Sequence, residues 1–305
     1  MSHHEHESSA RKGNRRALAV VLALTASFTV VEIIGGLLTG SLALLADAGH
    51  MLSDNLSLGI ALFAAWLAGR PATPEKSFGY RRAEILAALV NGMTLVAISI
   101  WIFVEAYSRL REPTDVLGGP MLAVAALGLL VNVAGALVLY RSGGENLNVE
   151  GAMRHVLADA LGSIGAMVAA AVIILTGWRY ADPLISIAIG FLILGSSWKL
   201  LRDSTNILLE ATPRNLNAEE VGQKMAAADG VVEVHDLHIW TITSGFPALA
   251  AHVLVGRDED CHARRRELEE LLAHEFDISH TTLQVDHVGD HQASLQTLRF
   301  PTRPD

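Results

Sequence analysis

Six long apolar runs decide most of what this chain can fold into: "ALAVVLALTASFTVVEIIGGLLT", "SLALLADAGHMLSDNLSLGIALFAAWLA", "EILAALVNGMTLVAISIWIFVEAY", "VLGGPMLAVAALGLLVNVAGALVLY", "GAMRHVLADALGSIGAMVAAAVIILTGW" and "PLISIAIGFLILGSSWKLL". Each is near or above the roughly 20 residues that a helix needs to cross a hydrocarbon core. Lipid offers the backbone no hydrogen bonds, so such runs become helices that satisfy their own amides. The expectation is an α-helical membrane protein with six transmembrane helices. The first run is too long for a signal-peptide core and no small-residue cleavage site follows it, so it is expected to remain as a helix.

Basic residues near the ends of spans are retained in the cytoplasm. Arg11, Lys12, Arg15, Arg16, Arg70, Lys76, Arg81, Arg82, Arg141, Arg154, Lys199 and Arg202 fall on one side, and Arg109, Arg111 and Arg179 on the other. Both termini are therefore expected in the cytoplasm of a cell whose inner membrane the chain crosses. The net charge of −9 argues against nucleic acid and for a cation as partner. Cys261 is the only cysteine, so no intrachain disulfide forms and a reducing compartment is permitted.

The domain expectation has four parts. Residues 1–16 are polar and His-rich and form a flexible cytoplasmic tail that either collects metal loosely or has no metal role. Residues 17–203 hold the six helices, 204–290 form a soluble domain, and 291–305 are a C-terminal tail. In the soluble part, "NAEEVGQKMAAAD" is a helix capped by Asn217, "GVVEVHDLHIWTIT" and "ALAAHVLVG" are strands about the turn "SGFP", "DCHARRRELEELLAHEF" is a helix and "HTTLQVDHV" is a strand. The order αββαβ suits a small open-faced α+β sandwich, marginally stable alone and helped by pairing with a second copy.

The second apolar run is interrupted by Asp47, His50 and Asp54. Ionisable groups at mid-bilayer cost about 2.5 kcal/mol or more each, so they face a bundle interior or a hydrated path. Their i, i+3, i+7 spacing puts all three on one helix face. The fifth run repeats the pattern in "RHVLAD", where His155 and Asp159 share the i, i+4 spacing of His50 and Asp54. Because the second helix runs inward and the fifth outward, the two pairs can oppose each other, and two imidazoles with two carboxylates make a tetrahedral set suited to Zn²⁺, with Co²⁺ or Cd²⁺ as alternatives. One such residue would more simply be an interhelical hydrogen bond; two matching pairs argue for ligands. Asp47 has no counterpart in the fifth run and is read as a supporting or access group. Glu32, Asn91 and Asn132 are single polar residues and are not taken as ligands.

These motifs resemble the cation diffusion facilitator family, in particular its bacterial zinc-resistance branch. The likeness runs through "SLALLADAGHMLSD", "FGYRRAEILAALVNG", "LNVEGAMRHVLADALGS" and "VHDLHIWTITSG", in that order. It implies a proton-coupled antiporter that exports divalent metal through His50, Asp54, His155 and Asp159. Zn²⁺ is then the cargo and H⁺ the coupling ion, and the soluble domain is ferredoxin-like and dimerises in the cytoplasm. It also implies an Arg82–Glu210 pair that locks the homodimer, and a further structural or regulatory metal site at His235, His252 and Asp286. The loop "GRPATPEKSFGYRR" lacks the histidine that some members use for another site, which is expected to be absent. Two rival readings stand beside the antiporter: a metal-gated channel or sensor, and an intramembrane metalloenzyme, which the absence of "HExxH" disfavours.

Overall fold

A computed structural model describes the backbone of residues 2–141, 147–289 and 299–301, with side chains from residue 19 onward except at 58, 61, 62, 65, 68, 147–151 and 299–301. The chain forms two compact units, one of residues 1–60 and 90–200 and the other of residues 61–89 and 201–305.

Six long helices come first: α1 (Ser2–Thr39), α2 (Leu42–Ala68), α3 (Ala83–Arg111), α4 (Gly118–Arg141), α5 (Leu147–Thr176) and α6 (Ala181–Leu208). Five of them, counting Ala19–Thr39 of α1, are long and apolar enough to cross a membrane. The remaining one, α2, has 27 residues, about 40 Å at 1.5 Å per residue, and carries the three ionisable groups. The helix α1 starts at Ser2, so the backbone of the His-rich segment is helical. That segment contains no proline, and extending an existing helix costs far less than nucleating one.

In the helical unit α4 packs against both α5 and α1. Small residues permit the approach: a Cβ on Gly128 would stand 2.7 Å from Phe28 Cζ and 2.9 Å from Ser163 Oγ. An apolar cluster of Ala43, Leu44, Ile102, Met121, Ala125, Ala166, Ala169 and Ala170 fills the end of the unit where α2 and α4 begin and α5 finishes. At the same end Ser41 accepts from Leu44 N (3.2 Å) as an N-cap, and buried Asp182 of α6 accepts from Ser41 Oγ (2.6 Å), Leu42 N (2.8 Å) and Ala43 N (3.2 Å).

The second unit contains α7 (Ala218–Ala226), β1 (Val231–Thr243), β2 (Phe246–Val255), α8 (Cys261–Phe276), β3 (His280–His287) and β4 (Arg299–Pro301). Asn217 caps α7 as expected, accepting from Glu219 N. The sheet order is β3-β2-β1-β4, with β2–β3 parallel and the other pairs antiparallel. Val221, Met225, Leu268 and Leu272 of the helices meet Val234, Leu249, Ala251 and Val253 of the strands in one core. Two expectations are corrected. The order is αββαββ, because three residues assigned to the C-terminal tail pair with β1. Phe246 and Pro247 belong to β2 rather than to the turn, which narrows to Ser244 and Gly245, the latter at φ +69°. Pro247 is tolerated because it stands at the start of its strand.

Asp260 caps α8 by accepting from His262 N and Ala263 N. Those two N–H groups, Ala263 foremost, hold its carboxyl below the usual carboxylate range. A lowered folded-state pKa contributes stability above the unfolded value of about 4 that is lost as pH falls through the folded value. Protection factors of the first-turn amides of α8, measured by hydrogen exchange, should therefore drop below pH ~4. In Asp260→Asn, which keeps an acceptor without a titrating group, they should stay flat.

Candidate metal centre

The spacing on α2 and α5 works as its periodicity predicts. His50 and Asp54 lie one turn apart on α2, with Nε2 to Oδ2 at 3.4 Å; His155 and Asp159 lie one turn apart on α5, again at 3.4 Å between Nε2 and Oδ2. The two pairs meet: His155 Nδ1 is 3.5 Å from Asp54 Oδ2, and the rings of His50 and His155 stand 6.1 Å apart, edge to face. His155 is thus bracketed, one nitrogen toward each carboxylate.

Ligand atoms of His50, His155 and Asp159 all fall within 4.8 Å of one another, the only such group of three or more His, Cys, Asp or Glu among the described residues. Asp54 stands just outside it, on the other side of His155. His50 Nδ1, Asp54 Oδ2 and both oxygens of Asp159 are buried without a hydrogen-bond partner among the described residues. Buried polar atoms are ordinarily paired, and a set left open in this way fits a cation that supplies the missing contacts. Access is graded, the side chains of His155 and Asp54 being 40% and 28% exposed and that of Asp159 0%.

Asp47 lies one turn along α2 from His50, buried and pressed on the α5 backbone. A Cβ on Gly162 would stand 2.5 Å from its Oδ1, so any side chain there would displace the carboxylate. Fully buried Glu32 of α1 lies against Asp47. Nothing in the periodicity of the first run linked Glu32 to this region; only its cost in an apolar helix marked it.

In the second unit, Arg82 donates to Glu210 Oε1 at 2.8 Å within one chain, and Glu210 adopts φ +58°, a left-handed conformation uncommon outside glycine, just beyond α6. Glu84 at the start of α3 accepts from Thr243 Oγ1 (2.8 Å) and Ser244 Oγ (3.0 Å). His235 and His252 are cross-strand partners with rings 5.5 Å apart. Asp286 is registered opposite Leu254, on the sheet face that carries His252, and accepts from Gln284 Nε2.

Residues 18–209 match the model of the cation efflux transmembrane domain, and residues 213–288 that of the cation efflux protein cytoplasmic domain. The chain belongs to the cation efflux family and is a multi-pass membrane transporter of metal cations, not an enzyme. It is 42% identical over 289 residues, 93% of its length and 91% of the relative's, to the cadmium, cobalt and zinc/H(+)-K(+) antiporter of Bacillus subtilis. It is 42% identical to the metal cation efflux system protein CzcD of Cupriavidus metallidurans, covering 92% of this chain and 89% of that one. The zinc transporter ZitB of Shigella flexneri is 43% identical over 96% of this chain and 95% of its own.

Proposed function

We propose that this chain exports Zn²⁺, with Cd²⁺ and Co²⁺ as further substrates, in exchange for protons, binding the metal between His50, Asp54, His155 and Asp159. The carrying observation is the meeting of two helix-spaced His/Asp pairs around His155, with ligand atoms unpartnered among the described residues. The names of the relatives supply the metals and the antiport.

Exchange follows from ligand chemistry. A histidine must be neutral and an aspartate ionised to hold metal, so metal and protons compete for the same atoms. Each ring nitrogen of His155 faces a carboxylate, Nδ1 toward Asp54 and Nε2 toward Asp159. Metal arriving from the open side displaces those protons; after the helices rearrange, protons from the other side displace the metal. The protein lies in the inner membrane with both termini in the cytoplasm, as the distribution of basic residues directs. It works as a homodimer joined through its soluble domains, with Arg82–Glu210 bracing the domain, and His235, His252 and Asp286 take a regulatory metal that biases the transport equilibrium.

Metal-resolved uptake into vesicles tests this. Under an imposed pH gradient, Zn²⁺ flux should saturate, exceed that of Mn²⁺ and Ni²⁺, and collapse when the gradient is dissipated. Flux indifferent to the gradient would overturn the exchange.

A further inference from the structure

Side-chain exposure in the transport site falls from His155 and Asp54 through His50 to Asp159. Its more exposed members are Asp54, midway along α2, and His155, toward the start of α5. Moving the other way along α2, contacts step from Asp54 opposite His155, through His50 beside Asp159, to Asp47 against Gly162, as fits an antiparallel helix pair. Beyond Asp47 lies the apolar cluster around Leu44 and Met121, and beyond that the capped start of α2. A cation crossing the unit therefore meets Asp47 directly after Asp159.

Two observations make that position more than an acidic neighbourhood. Glu32, fully buried, is in side-chain hydrogen-bonding contact with Asp47 and within electrostatic reach of Asp159, and among the described residues no donor from outside the pair meets its oxygens or Asp47 Oδ2. On α4, Asn132 is 1% exposed with neither amide atom partnered, and Ser163 Oγ on α5 is likewise unpartnered. Gly128 faces Ser163, so the antiparallel register sets Asn132 at the level of Asp159. Four helices thus bring buried oxygen atoms with few donors to one interior region, although burying such groups is costly. Oxygen donors without imidazole hold a divalent cation more weakly and exchangeably than the His/Asp set does.

We propose that Glu32 and Asp47 form a second, transient station for the divalent cation on the buried side of the transport site, reached from Asp159 and vacated as the metal leaves. It rests on the metal-export reading above. Asp159 belongs to both stations, so the ion passes between them without leaving protein oxygen. A station on the way out lowers the barrier to release without setting capture affinity, so its loss appears in maximal flux rather than in half-saturation.

The test is zinc flux in vesicles under a pH gradient for Glu32→Gln and Asp47→Asn, both close in shape to the native residues, with thermal unfolding of each purified protein to verify folding. Maximal flux should fall at least ~10-fold with half-saturating zinc within ~threefold of wild type. Wild-type maximal flux in a folded variant of either residue would overturn the station. So would an equal loss of binding and flux, which makes the residue part of the capture site. So would a change confined to the pH dependence with maximal flux kept, which makes the pair a proton store. If wild-type vesicles move no zinc, the export reading fails first. If they do and Asp159→Ala does not, the variants judge the station alone.

Discussion

Asp159→Ala is expected to abolish pH-gradient-driven zinc flux and to weaken zinc binding at least ~100-fold, about 2.7 kcal/mol. Both oxygens of this carboxylate are buried without a donor among the described residues, and the imidazole of His155 lies 3.4 Å away. Removing it deletes a charge from a poorly screened position where opposite charges attract far more strongly than in water. The same substitution should not destabilise the metal-free protein, since a buried carboxylate without hydrogen bonds is a cost that alanine removes. That divergence, binding lost and stability kept, separates a ligand from a packing residue. Asp159→Asn should behave alike, because shape is retained and charge is not. Calorimetric titration and vesicle flux read the first effect, and thermal unfolding without metal reads the second. Flux at the wild-type level in either variant would remove Asp159 from the site.

Elements with a local signature were legible in the chain, and elements made by distant partners were not. The faces bearing His50 with Asp54 and His155 with Asp159 follow from helical period, and their opposition follows from the alternating direction of successive spans. Asn217 and the strands β1 to β3 carry a local cap and β-branched patterns, whereas the sequence expectation places Asp260 inside α8 rather than at its cap. Strand β4 has three residues, too few for any period, and exists through its pairing with Glu233, Val234 and His235. The parallel pairing of β2 with β3 depends on the crossover through α8. Glu32 looked like one isolated acid because its partner Asp47 belongs to another helix. Asp182 gave no signal at all, since the amides it caps are 140 residues away in the chain.

That residue carries the second large effect. Asp182→Ala is expected to cost about 3–5 kcal/mol of stability, the range for removing one partner of a buried charged pair. Its carboxylate is wholly buried, receives the two leading amides of α2 and the hydroxyl of Ser41, and lies 3.6 Å from Arg109 Nη1. Alanine leaves those donors unsatisfied in an apolar setting and withdraws a negative charge from the positive end of the α2 dipole. Arg109 keeps Glu105 and the carbonyl of Gly40 as partners, so the loss centres on α2. Asp182→Asn, which still offers one acceptor oxygen, should lose less than alanine. Thermal unfolding in detergent should rank wild type above Asn and Asn above Ala, and equal unfolding of all three would refute the role. Flux should fall in the same order, because His50 and Asp54 lie eight and twelve residues into the helix that this carboxylate holds in place. A start of α2 free to fray transmits its disorder along the face that presents His50 and Asp54.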